Sequence, residues 1–270
     1  MKRLFILASL ALLILSGCAA PKAKGALIVG LECNYAPFNW TQLQKTDTSV
    51  AVDGDAASFC DGYDITIART IAVKLNRTLV VKKIAWDGLV TSLKGNDIDM
   101  IVAGMTDTPE RRLEVAFSAP YYNSELVLIV RTDSKFASAT SLANFSGATV
   151  IAQKSTFHDT VAIPAIPGVV HGTPLDSFPL LANAVNMKDA DAMVSEYPVA
   201  KAIVASNSSL KIIQFATGKG FTIDPTLTTV SVAVRKADTE LLASINKVLV
   251  GISTSTRNQW MIDAGARQPK

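Results

Sequence analysis

The sequence predicts an α/β protein of two lobes, each an open, mostly parallel sheet flanked by helices. Three observations carry that prediction. Apolar runs of strand length alternate with segments of helical period. The alternation restarts near the middle of the chain. A length of 270 residues suits two bodies, at roughly 150 residues per domain.

Ala26 to Leu31 is a continuous apolar run, as expected of a strand buried on both faces. Ile65, Ala68, Ile71, Ala72 and Leu75 recur at helical spacing, and Leu79 to Ile84 reads as a strand. Leu89, Val90 and Leu93 belong to a short helix ending near Gly95, and Ile98 to Val102 is the next buried strand. This βαβ order implies parallel pairing. The second round opens with a strand over Ala148 to Ala152. A helix is expected after Thr156, another over Phe178 to Met187, and a strand over Ala190 to Val194. The stretches Leu93 to Val102 and Val185 to Val194 share a layout of helix end, acidic turn and buried strand, with Asp97 and Asp99 matched by Asp189 and Asp191.

Tyr121 to Glu125 and Thr226 to Val230 flank the second unit and suit paired crossing segments. Val230 to Val234 then reads as a strand. Glu240 to Ile252 is an amphipathic helix carrying Leu241, Leu242, Ile245, Val248 and Leu249. The second lobe is therefore expected as an insertion in the first. Residues 26–121 and 230–270 form lobe 1, residues 126–225 form lobe 2, and 122–125 with 226–229 are the hinge strands. Two crossings between lobes make a natural hinge.

Composition narrows the function. Hydrophobic residues make up 49% and charged residues 18%, which builds cores and excludes a disordered chain. The formal charge of +3 comes with no basic tract able to track a phosphate backbone, so nucleic acid is not an expected partner. Three cysteines and two histidines exclude a disulfide scaffold and a multi-cysteine zinc site; no metal and no cofactor is expected. Nucleophile-elbow, P-loop and zinc-spacing motifs are missing.

Met1 to Cys18 reads as an address. Lys2 and Arg3 precede an apolar run, Leu4 to Leu15, too short for a comfortable membrane span and suited to a signal peptide. Leu15-Ser16-Gly17-Cys18 resembles the bacterial lipobox, whose cysteine takes a lipid. Residues 1–17 are thus expected to be a lipoprotein signal peptide, with Cys18 lipidated (palmitate among its acyl chains) and 18–25 a tether. The other reading is a short, uncleaved membrane anchor. No later run is long enough to span a bilayer, so the expected location is extracytoplasmic, held to the membrane at the cell surface or in the periplasm. That compartment permits a disulfide between Cys33 and Cys60, which would close the polar insert Thr41 to Ser58 and contribute about 3–4 kcal/mol. Two free thiols are the alternative.

Ligands of open α/β sheets bind beyond the carboxyl ends of strands. Glu32 and Tyr35 follow the first strand, and Trp86 follows the strand ending at Ile84. Ala103, Gly104, Thr106 and Arg111 follow Val102. Gln153, Ser155 and Thr156 follow Ala152, and Ser195 and Glu196 follow Val194. Thr108 suits an N-cap and Pro109 a first helical position. Arg111 then falls in a first turn, where a cation is unfavourable unless an anion offsets it. Its guanidinium suits a carboxylate; a surface pair with Glu110 or Glu114 is the bland reading. Glu196 reads as partner to an ammonium or as a cap. Ser155 and Thr156 read as an anion-binding turn or ordinary capping. Tyr35 and Trp86 read as walls of a slot or as core. Glu32 reads as a selector of a cationic or amide side chain or as a solvated acid.

At these residues the chain resembles the family 3 extracellular solute-binding proteins of bacterial amino-acid ABC importers. The resemblance rests on Trp86-Asp-Gly-Leu-Val, on Asp97-Ile-Asp99-Met-Ile-Val-Ala-Gly-Met-Thr106-Asp-Thr-Pro-Glu-Arg111-Arg and on Phe117-Ser-Ala-Pro-Tyr-Tyr122. Tyr35-Ala-Pro-Phe38 and Gly62-Tyr-Asp64 add to it. It implies a two-lobed periplasmic-binding-protein fold (type II, Venus-flytrap) and a monomer that delivers a free amino acid to ABC permease subunits. It further implies that Arg111 grips the ligand α-carboxylate with help from Thr106 and Thr156, and that Glu196 and the Gly104 carbonyl hold the α-ammonium. Tyr35 and Trp86 pack on the side chain, and Glu32 stands where the family often has an Asp. The chain departs from the pattern in the longer Glu at positions 32 and 196, in Lys154 where a Gly is usual before the hydroxyl pair, and in the long Cys-flanked insert. Arg, Lys, His or Gln is the favoured ligand. The competing readings are an enzyme on the same fold, a dehydratase or a peptidoglycan-cleaving relative with Glu196 as general acid, and a sensing module acting in trans.

Overall fold

The structure is a computed structural model that describes residues 25–269. The expected signal peptide, Cys18 and all but the last residue of the tether lie outside the described residues.

The first sheet begins with β1 (Ala26–Leu31), whose six residues are all buried. A polar excursion follows: β2 (Asn34–Tyr35), β3 (Asn39–Gln42), β4 (Val50–Val52) and β5 (Asp55–Asp61). Then come α1 (Tyr63–Lys74), β6 (Thr78–Lys83), α2 (Leu89–Lys94), β7 (Met100–Ile101), α3 (Pro109–Glu114) and β8 (Ala116–Asn123). The chain enters the second sheet with β9 (Leu126–Arg131), β10 (Thr149–Ile151), β11 (Val170–His171), α4 (Phe178–Asn186), β12 (Ala192–Glu196), α5 (Tyr197–Ser206) and β13 (Leu210–Ile213). It returns to the first through β14 (Thr229–Val234), α6 (Thr239–Val250) and α7 (Thr254–Arg267).

The nine-stranded sheet has the order β2-β3-β5-β4-β6-β1-β7-β14-β8 and the five-stranded sheet the order β11-β10-β12-β9-β13. Parallel pairing holds where βαβ crossovers join strands: β1 with β6 and β7, and β10 with β11 and β12. Hairpin and return strands add antiparallel neighbours, so each sheet is mixed. The fold is the two-lobed type II periplasmic-binding architecture. Both crossings between lobes run side by side. Thr229 pairs with Asn123 and Val230 with Tyr122, and Ser124 N–H donates to the Thr228 carbonyl at 3.0 Å.

The two acidic turns do the same job in both lobes. Asp99 Oδ2 accepts from Ile28 N–H at 3.0 Å, and Asp99 N–H donates back to the Ile28 carbonyl at 2.8 Å. Asp191 Oδ2 accepts from Thr149 N–H at 2.9 Å, and its N–H returns to the Thr149 carbonyl at 2.9 Å. Each acid thus starts a central strand in register with its parallel neighbour.

Two expectations need correction. The helix expected after Thr156 is a single wide turn, His158–Ala162. Pro164 and Pro167 follow at once, and proline supplies no N–H to extend a helical ladder. The strand expected over Ala190 to Val194 is displaced to Ala192–Glu196. Glu196 is therefore the last residue of β12, paired with Leu126, rather than a loop residue after it.

Candidate ligand-binding site

A small cavity lies between the lobes. Glu32, Tyr35, Trp86, Ala103, Thr106 and Arg111 line it from the first lobe, and Gln153, Thr156, Phe157, His158, Phe178 and Glu196 from the second. The fold puts strand ends from both sheets at this crevice, which is why residues so distant in sequence meet.

Thr108 caps α3 by accepting from Arg111 N–H at 3.3 Å, with Pro109 just inside the helix. The Arg111 side chain turns back from the helix. Its Nη1 donates to the Thr106 carbonyl at 2.7 Å and its Nη2 to the Ser155 carbonyl at 3.0 Å. The guanidinium lies 4.9 Å from the Trp86 ring centroid. Asp107 pairs with Arg112 at 2.6 Å and Glu114 with Lys94; among the described residues Arg111 forms no ion pair, and its contacts are carbonyls and a π face, with Glu110 adding a favourable charge nearby. Burial lowers its pKa to about 10, so it stays charged at neutral pH.

Ser155 has φ of 57°, and this turn aims its carbonyl at Arg111 and at Trp86 Nε1, 3.3 Å away. Thr156 Oγ1 donates to the Gln153 carbonyl at 2.6 Å, so that hydroxyl is committed within the turn. Lys154 bridges Asp87 and Asp176 at 2.7 Å each, linking the lobes outside the cavity.

The opposite end is acidic. Glu196 is buried, and its side chain does not cap α5. It accepts from the Tyr35 hydroxyl and lies 3.4 Å from His158 Nε2. Burial pushes its carboxyl up, but the His158 charge and the Tyr35 hydroxyl outweigh this and hold it below its ordinary value. Tyr35 stacks on Phe38 at 5.1 Å and leans on Phe178 at 4.6 Å. Glu32 accepts from Gln153 Nε2 at 3.2 Å; burial pushes its carboxyl up to about 7, with the nearby Asp87 adding to the effect.

Gly104 supports the cavity from behind. Its φ is +58°, and a Cβ there would lie 2.7 Å from Tyr35 Cε1. Gly104 N–H donates to the Tyr121 hydroxyl at 3.0 Å, which donates to Asp64 Oδ1 at 2.7 Å; Asn39 Nδ2 completes Asp64 at 2.7 Å. Burial pushes Asp64 up to about 6, opposed by these donors.

Of the strand-end residues singled out from sequence, Gly104, Ser155 and Ser195 are not among those lining the cavity, and the rest are. Phe157, His158 and Phe178 line it without having been singled out. Phe178 opens an amphipathic helix and reads as core. His158 follows the Ser155-Thr156 pair closely, which is the one signal that pointed to it.

The model of the bacterial extracellular solute-binding proteins, family 3, matches residues 27–261, and the chain belongs to that family. An Escherichia coli (strain K12) protein named as putative ABC transporter arginine-binding protein 2 is 28% identical, over 96% of this chain and 99% of its own. The Bacillus subtilis (strain 168) glutamine-binding protein GlnH is 28% identical, over 79% of this chain and 76% of its own. The Streptococcus pneumoniae protein AbpA, solved bound to L-arginine, superposes with a TM-score of 0.76 at 25% identity, covering 90% of this chain and 95% of that one. By family the protein is therefore a bacterial-type extracellular solute-binding protein.

Proposed function

We propose that the protein captures a free amino acid with a basic or polar side chain outside the cytoplasm and passes it to an ABC permease. One observation carries this reading: Arg111, a cation that forms no ion pair with a carboxylate among the described residues, and a buried carboxylate, Glu196, face one cavity from opposite lobes. An amino acid is a zwitterion, and burying it requires an opposite charge at each end. Arg111 with the Thr106 and Thr156 segments takes the α-carboxylate; Glu196 and the Gly104 segment take the α-ammonium. Tyr35 and Trp86 flank the side chain, and Glu32 with Gln153 meets its polar end. Arginine is favoured over Lys, His and Gln, because the Escherichia coli relative named for arginine and the L-arginine-bound AbpA agree with an acidic side-chain end.

Lobes 26–121 with 230–270 and 126–225 close about the strands 122–125 and 226–229, a lipid on Cys18 holds the monomer at the membrane, and the closed form is what the permease reads. Thermal-shift screening of the twenty amino acids, followed by calorimetry, tests the ligand class; a response confined to aliphatic or acidic ligands overturns it. Arg111→Ala is expected to cost about 3–5 kcal/mol of binding, because it strands a buried carboxylate. Near-wild-type affinity in that variant would reject the role.

A further inference from the structure

His158 is buried at 3% exposure, and neither ring nitrogen completes a hydrogen bond among the described residues. Buried polar groups are rarely left so. Its Nε2 lies 3.4 Å from Glu196 Oε1 and borders the cavity. The groups around it are few. Glu196 comes from the end of β12, the Tyr35 hydroxyl reaches the same carboxylate from β2, and the Phe157 and Phe178 rings stand 4.4 Å and 6.2 Å from the imidazole. Arg111 and Glu32 are the other charged groups in the cavity. Asp159, on the same turn, is taken by His171 at 2.6 Å.

This inference rests on the amino-acid reading and deepens it. We propose that His158 is a further ligand-binding residue: a protonated counter-ion of Glu196 that gives up its proton to solvent when the ligand ammonium arrives. The chemistry follows from charge. A buried carboxylate needs one positive neighbour, and two cations beside it repel. The imidazolium fills that place before binding and the ammonium fills it afterwards. The neutral ring then offers Nε2 as an acceptor. Glu196 Oε1 and His158 Nε2, 3.4 Å apart, together receive two of the three ammonium hydrogens. Histidine alone among side chains ordinarily makes this change between about pH 5 and 8. Capture is thereby coupled to release of one proton, and affinity for any α-amino acid falls at acid pH by up to about tenfold per pH unit.

The test is calorimetry with L-arginine and L-glutamine near pH 6, in buffers of different ionisation enthalpy, on the wild type and His158→Gln. For either ligand, wild type is expected to release one more proton than the variant, and the variant to lose that part of the pH slope. The chain has only two histidines, so imidazole NMR of wild type, assigned against His171→Gln, reads the protonation of His158 directly, even if His158→Gln folds poorly. A His158 that is neutral in the free protein near pH 6, or a proton count unchanged by the substitution, overturns the assignment. Binding of no amino acid at all would overturn the amino-acid reading, and this assignment with it.

Discussion

At the scale of single residues, the site is governed by where charge is left unmatched. Arg111 is held by the Thr106 and Ser155 carbonyls, which orient a guanidinium without neutralising it. Glu32 shows the opposite problem, a carboxyl pushed up to about 7 by burial. The consequence for selectivity has a definite sign. Below about pH 7 Glu32 is mostly protonated, and a cationic ligand side chain must displace that proton; above it the carboxylate is ready. The ratio of L-arginine to L-glutamine affinity is therefore expected to rise between pH 6 and pH 8 in calorimetric titrations. A flat or falling ratio would remove Glu32 from the side-chain end. These residue types were legible in the sequence because each follows a strand. Their partners were not, since Gln153 meets Glu32 and Tyr35 meets Glu196 only across the cleft.

At the scale of elements, the Cys-flanked insert is tied to the site. Cys33 and Cys60 are bonded, which fastens the loop after β1 to the end of β5. Cys33 sits between Glu32 and Tyr35, so this bond also steadies two cavity residues. The double substitution Cys33→Ser, Cys60→Ser is expected to lower stability by about 3 kcal/mol in urea denaturation and to weaken amino-acid binding. Reductant should reproduce both effects in wild type and leave the variant unchanged. An unaltered midpoint would mean that the insert is constrained without the bond. The turn at His158–Ala162 teaches the converse lesson. Apolar and polar residues there permit a helix, and Pro164 and Pro167 end it after one turn.

At the scale of the molecule, four contacts already cross between the two lobes. Lys154 to Asp87, Gln153 to Glu32, Glu196 to Tyr35 and Arg111 to Ser155 all run between lobes. A ligand that adds contacts to both lobes has differential affinity for the closed form and shifts the population toward it. Small-angle scattering is expected to show a smaller radius of gyration on adding L-arginine to wild type, with little change for Arg111→Ala. An unchanged radius in wild type would argue against closure. Lys154→Ala removes an exposed link and should weaken binding no more than a few-fold, as exposed ion pairs contribute little.

The sequence by itself determined the alternation of strand and helix, the restart that makes two lobes and the family motifs that surround Arg111. Those are local or repeating patterns, and periodicity and composition encode them directly. Tertiary structure decided which side chains share the cavity, that Ser155 offers a carbonyl instead of a hydroxyl, and that His158 stands beside Glu196. Such facts depend on the placement of two sheets relative to each other and on one left-handed residue, which no spacing in the chain records. The charge balance of the cavity belongs to this second group, because it is set by distances between atoms that only folding brings together.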